Sequence, residues 1–132
     1  MSFETLTLKN VCARPVVLEL KRPVVARIAT LADWPLILID LHTEEGVIGR
    51  SYLEPYLPKS MRYLIPALHD VGEMLKGHRL APIEIYEAAR KSLHFVGYEG
   101  MAMIAVAGLD MAAWDALARA AGVPLCVLLG AA

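Results

Sequence analysis

The chain is poor in cysteine, carries no excess of either charge and has no long apolar run, and each of these narrows what it can be. Cys12 and Cys126 are its 2 cysteines. They stand in no CxxC or Cys/His cluster, which argues against a zinc site or a disulfide framework and for buried or free thiols in a reducing compartment. Lys and Arg number 13 against 14 Asp and Glu, a net charge of −1, so there is no electrostatic footprint for nucleic acid or an anionic membrane. Met1–Asn10 holds Glu4 and Lys9 and shows no leader-like apolar core. The longest apolar stretch, Gly100–Leu109, stops at Asp110 and falls short of the ~20 residues a span needs. A soluble, cytoplasmic chain with no nucleic-acid or membrane partner is expected.

Apolar side chains, in contrast, are plentiful. They make up 57% of the 132 residues, and the mean hydropathy is +0.48. Ordinary soluble domains run about 45–50% apolar, and a single domain of this size leaves roughly a third of its surface exposed. The surplus implies a face covered by another domain, another subunit or a partner protein.

The pattern along the chain is α+β. Phe3, Leu6, Leu8 and Val11 roughly alternate with Glu4, Thr5, Thr7 and Lys9, which predicts a strand region over Glu4–Val17. Pro15 should bend it or put it on an edge, and Val16–Lys21 resumes the alternation. Lys21–Trp34 has no period: a strand, or a loop made apolar by whatever covers it. Pro35–His42 is a buried strand, Thr43–Gly46 a hairpin turn with Gly46 at the φ > 0 position, and Val47–Leu53 the returning strand. A three-stranded antiparallel meander results. Helices follow from Pro58 to Gly77, kinked at Pro66, from Pro82 to near Gly97, and from Gly100 to Ala121 with Gly122 as the stop. In the last, Ala105, Gly108, Ala112, Ala116 and Ala120 form a ridge that admits another backbone closely. Apolar residues nearly surround this helix, so it should be buried on more than one side. The fold expected is a meander followed by a three-helix bundle.

Chemistry is hard to find. His69 and Glu73 share a helix face, but a metal needs a third ligand and the sequence names none. Asp110 and Asp115 lie about 140° apart on a helix and cannot share a proton or an ion; each reads as a buried anchor or cap. His42, His78 and His94 have no assignable partner. Gly46–Gly49 fits no phosphate loop. Ser51 and Ser60 lack the elbow glycines of a nucleophile. The lysines are scattered, with no Lys-x-Lys pair. From the residues alone, no catalytic and no metal residue is assigned.

The segment AVAGLDMAAWDALARAAGVPLCVLLG, Ala105–Gly130, resembles the end of the amino-terminal domain of the mandelate racemase and muconate lactonizing enzymes of the enolase superfamily. Ala107, Asp110, Ala113-Trp114-Asp115, Gly122-Val123-Pro124 and Leu128-Leu129-Gly130 carry the match. The hairpin Leu36–Leu53 is similar to the family's second and third strands, with the mandelate racemase branch nearest. The order of elements agrees from about Leu6 to Ala131.

The resemblance implies a two-part enzyme in which a capping domain closes a modified TIM barrel. There Lys or His bases remove the proton α to a substrate carboxylate and Mg²⁺ stabilises the enolate. Such groups sit at the barrel's C-terminal face, and a barrel needs about 250 residues, so this chain would end where the barrel begins. No base or metal ligand maps onto it. The lid does map: the segment after the first strand region, Lys21–Asp33, would fold over the substrate, with Val24, Ala26, Ile28 and Leu31 facing it. Tyr56 in the next loop matches a tyrosine near the substrate. Arg27 departs from the small or apolar character of the stretch, facing either solvent or a second carboxylate on the substrate. The expected cofactor is none in this chain and Mg²⁺ in the parent. The expected partners are the barrel or another subunit, with a homo-oligomer as the assembly. The parent would be a racemase or dehydratase of 2-hydroxy or sugar acids. The rival is a stand-alone interaction or oligomerisation module with the same fold.

Overall fold

In the computed structural model residues 5–131 are described; Phe3 and Glu4, at the start of the expected first strand, lie outside them. The elements are β1 (Leu8–Val25), β2 (Thr30–Thr43), β3 (Ile48–Leu53), α1 (Met61–Met74), α2 (Pro82–Ser92), α3 (Met101–Ala120) and α4 (Leu125–Leu128). The strands form one antiparallel sheet in the order β1-β2-β3. β1 is an edge strand, which is where Pro15, with no amide hydrogen, is tolerated. The β2–β3 turn is tied by Thr43, whose Oγ1 accepts from the Val47 amide at 3.0 Å, and Gly46 takes φ +86°.

Helices cover one face of this sheet. Ile37, Ile39 and Leu41 of β2 and Leu53 of β3 are buried against them. In α1, Met61, Leu64, Leu68 and Val71 recur at helical spacing and are buried. The helix is preceded by a 3₁₀ turn, Pro58–Ser60, and runs unbroken across Pro66, which is exposed. Pro82 opens α2, Glu84 sits in its first turn and Arg90 and Lys91 in its last, as the helix dipole favours. The short α4, which the sequence pattern does not predict, begins directly after Pro124.

The ridge on α3 does what its small residues suggest. A methyl on Gly108 would fall 2.6 Å from Ile39 Cδ1, and one on Gly49 of β3 would fall 2.0 Å from the Ala112 carbonyl oxygen. Backbone therefore lies almost on backbone along this contact. Ser51 Oγ donates to the Gly108 carbonyl at 2.7 Å, and the Arg50 amide donates to Asp115 Oδ2 at 2.7 Å. At 20 residues, α3 is the one helix among the described residues long and apolar enough to cross a membrane; its apolar character continues past Asp110. Its packing on β3 and α1 makes it the core helix of the domain.

Candidate functional site

The ends of the sheet are not equivalent. β3 pairs with β2 only as far as Leu53↔Ile37, whereas β1 and β2 pair on to Val25↔Thr30. From Leu36 outward the sheet narrows to a two-stranded ribbon that projects roughly 25 Å at strand spacing. The unassigned stretch Lys21–Trp34 is thus mostly strand, and the loop implied by the resemblance shrinks to a turn. That turn is closed by the Ala26 amide donating to the Ala29 carbonyl at 2.9 Å, with Arg27 and Ile28 at the tip. Every residue from Lys21 to Thr30 is exposed. Ile28 is 94% exposed and Val25 79%, extreme values for branched aliphatic side chains.

A register shift decides which side chains share a face. Glu19 pairs with Asp33, but Val24 pairs with Leu31, so β1 carries extra residues around Pro23. On β2, Leu31 lies in the same alternation as Ile37, Ile39 and Leu41, the helix side. Val24 joins that side through Leu31, and Ala26 follows it. The structure therefore brings Val24, Ala26 and Leu31 to one face of the ribbon and puts Ile28 at its tip, while Val25 falls on the opposite face.

Tyr56 belongs to the same end. β3 runs toward the ribbon, and Tyr56 follows it by way of buried Pro55. The Leu57 amide donates to the Pro55 carbonyl at 2.7 Å, a three-residue turn centred on Tyr56 at φ +62°. It is the one non-glycine residue among the described ones with positive φ. For a bulky side chain this is strained, at a cost of about 1–3 kcal/mol. It leaves the ring 65% exposed. A third segment arrives at this end with the amino terminus of α3, since Gly108 lies at Leu53 while Ala112 and Ala116 lie at Gly49. The α2–α3 connection there exposes Phe95 and Val96 and is pinned by Arg90, whose guanidinium lies 4.6 Å over the Tyr98 ring and donates to its hydroxyl at 3.3 Å. The sequence signal for this segment is the run Phe95-Val96-Gly97-Tyr98 between two helices.

Asp115, His69, His78 and Glu73 bond to other parts of the chain, whereas the anchor or cap role expected of Asp110 is not seen among the described residues. Asp115 is an anchor, accepting from the Arg50 amide and from Arg119 Nε at 2.6 Å. Asp110 has no hydrogen-bond partner among the described residues, and partial burial pushes its carboxyl above its ordinary value. His69 Nε2 accepts from the Ala13 amide at 3.3 Å, holding α1 to the β1 edge, and Glu73 pairs with Lys76. On the outer sheet face, the hydrogen bond from Arg14, 2.6 Å from Asp40, holds the Asp40 carboxyl below the usual carboxylate range. Cys12 and Cys126 are both free. Among the described residues no three His, Cys, Asp or Glu side chains gather closely enough to hold a metal ion.

The family model for the mandelate racemase / muconate lactonizing enzyme amino-terminal domain matches residues 9–130. A D-galactonate dehydratase of Variovorax paradoxus (strain S110) is 34% identical over 95 residues, 71% of this chain and 24% of the dehydratase. An enolase from alpha pretobacterium bal199, solved with bound Mg, is 69% identical with a TM-score of 0.92, over 96% of this chain and 35% of its own. An enolase from Bradyrhizobium, solved with magnesium and mandelic acid, is 37% identical with a TM-score of 0.90, over 98% of this chain and 36% of its own. An L-talarate/galactarate dehydratase from Salmonella typhimurium LT2, solved with Mg and L-lyxarohydroxamate, is 25% identical with a TM-score of 0.80, over 96% of this chain and 34% of its own. The chain thus spans about a quarter of the curated dehydratases, whose matched share is 24%, and about a third of the solved enzymes, at 34–36%. Match and fold agree: the chain belongs to the amino-terminal domain family of the mandelate racemase and muconate lactonizing enzymes.

Proposed function

We propose that this domain is the specificity lid of a Mg²⁺-dependent enzyme that abstracts the proton α to the carboxylate of a 2-hydroxy or sugar acid. The catalytic groups would come from a C-terminal barrel outside this chain. The observation that carries this reading is the ribbon. A two-stranded hairpin is marginal by itself in water, and this one holds Val25 and Ile28 out, 79% and 94% exposed among the described residues. Such a ribbon makes sense when it closes over something. The solved relatives with bound Mg and with mandelic acid support the metal and the class of acid, and the dehydratases support the reaction class.

The lid's own contribution would be exclusion of water and shape. Val24, Ala26 and Leu31 would wall the pocket, Ile28 would close its rim, and Tyr56 would line its base. A dry pocket strengthens every electrostatic interaction inside it. When bound in the parent, Mg²⁺ supplies Lewis-acid stabilisation of the charge developing on the substrate.

The test is a hybrid in which residues 1–132 replace the matching first third of the Mg-bound enolase that is 69% identical. The isolated chain should be inert toward hydroxy and sugar acids and show no micromolar Mg²⁺ binding by calorimetry, while the hybrid turns over at least one such acid. Ile28→Ser should change KM and substrate ranking in the hybrid. Micromolar Mg²⁺ binding by the isolated chain, or unchanged ranking in Ile28→Ser, would contradict the lid role.

A further inference from the structure

We infer that Asp110 is a docking residue, which receives an arginine or lysine of the C-terminal barrel on a stripe of α3 that the barrel covers; this rests on the reading above that such a barrel completes the enzyme. The ground for it is a comparison of carboxylates. Among the described residues Asp40, Asp110 and Asp115 are drawn partly out of solvent, while the other Asp and Glu residues are exposed. Asp40 lies 2.6 Å from Arg14 and 3.4 Å from Arg50. Asp115 lies 2.6 Å from Arg119 and accepts from the Arg50 amide. Asp110 has neither a cation nor a hydrogen bond among the described residues, and burial alone displaces its carboxyl upward. A carboxylate taken from water without a partner is costly, and the two comparable ones are both paired.

The surroundings of Asp110 say what the partner is. Gly108, Ala112 and Ala116 turn one side of α3 to the sheet. On the other side Met103, Ala107, Asp110, Met111 and Trp114 recur at helical spacing, and all are half-buried except Met111, which is 43% exposed. A helix face left to water carries polar side chains; this one carries a single carboxylate. The stripe runs into a groove of about 510 Å³ lined by Trp114, Leu117, Leu128, Pro82 and Ile83. About two thirds of each solved relative lies outside the part that this chain matches, enough to cover stripe and groove. Charge then selects the occupant. A two-fold pairing of the stripe with a second copy would bring two Asp110 carboxylates together near the axis, which is unfavourable. A barrel surface carrying an arginine or lysine neutralises the carboxylate as it is buried, and a buried charge pair is strongly destabilised when one partner is removed.

The experiment compares the isolated chain with the hybrid enzyme and reads stability rather than turnover. In the isolated chain Asp110→Asn removes a charge that has no partner, so the thermal midpoint at pH 7 should rise. In the hybrid the same change removes half of a buried pair, so the midpoint should fall by about 2–4 °C or more. This reversal of sign is the expected result, and a shift of the same sign in both proteins would overturn the inference. A second measurement leaves Asp110 untouched. With Cys12 and Cys126 replaced by serine, Met111→Cys should react readily with a thiol reagent in the isolated chain and at least tenfold more slowly in the hybrid. Equal rates would show the stripe uncovered, and protection that grows with the concentration of the isolated chain would put a second copy on it; either result overturns the inference. Neither readout involves substrate, so failure of the lid would show separately, as indifference of all acids to Ile28→Ser.

Discussion

Replacing Gly49 with alanine probes the contact on which the whole domain is built. The new methyl would fall 2.0 Å from the Ala112 carbonyl oxygen and 2.8 Å from Ala116 Cβ, where ordinary contact begins near 3.4 Å. α3 must therefore retreat from β3 by more than an ångström. Overpacking of this kind costs about 1–3 kcal/mol. The retreat also stretches two hydrogen bonds that cross the same contact, Ser51 to Gly108 and Arg50 to Asp115, both at 2.7 Å. Each contributes about 1 kcal/mol, more for the charged acceptor. A loss of about 3–5 kcal/mol follows, a large part of the ~5–15 kcal/mol typical of a domain. Urea unfolding followed by far-UV circular dichroism measures it, with an unchanged m-value expected. The nearest obstacle is a backbone carbonyl, so adding Ala116→Gly should recover less than half of the loss. A loss below about 0.5 kcal/mol, the range of ordinary surface changes, or full recovery in the double variant would refute the close packing of α3 on β3.

Asp115→Ala should destabilise the chain by about 1–3 kcal/mol, because the Arg50 amide loses its acceptor, and Asp115→Asn should retain most of that stability in the same urea assay. Asp110→Asn should act with a defined pH dependence. Its folded-state carboxyl titrates above the ordinary 3.8 because of burial. The folded chain therefore holds this proton more tightly than the unfolded chain, and stability falls as pH rises from about the ordinary value through the raised one. Asp110→Asn should raise Tm at pH 7 and leave it unchanged near pH 3; an equal shift at both would contradict the burial effect. Tyr56→Gly should raise the urea midpoint of the isolated chain, since relief of a left-handed residue is worth about 1–2 kcal/mol and the flexibility of glycine returns about 0.5–1 of it. The same change should weaken substrate binding in the hybrid enzyme. A lower midpoint would mean that packing of the ring outweighs the strain.

Much of the fold is legible in the sequence because its cues are local. Ile37, Ile39 and Leu41 alternate because one sheet face is buried. Gly46 and Gly122 mark the turn and the helix stop by their left-handed φ of +86° and +66°. The ridge of Gly108, Ala112 and Ala116 announces a backbone contact, though not that Gly49 would meet it. The site was harder to read for physical reasons. Lys21–Trp34 shows no period because neither of its faces is buried by this chain, and the extra residues around Pro23 shift the alternation in mid-strand. Val24 and Leu31 are seven positions apart, and only the register shift makes them partners. Strain at Tyr56, the acceptor role of His69 and the arrival of the α2–α3 connection at the ribbon end depend on tertiary placement, which no local pattern encodes.

The most direct measurement of a covered lid is the rate of tryptic cleavage after Arg27, at the ribbon tip. Arg27 is exposed at the tip of a two-stranded hairpin, so the isolated chain should be cut there early. In the hybrid enzyme the rate should fall at least tenfold, and fall again when Mg²⁺ and an accepted acid are added. Equal cleavage in the isolated chain, the hybrid and the hybrid with acid would show that the ribbon covers nothing.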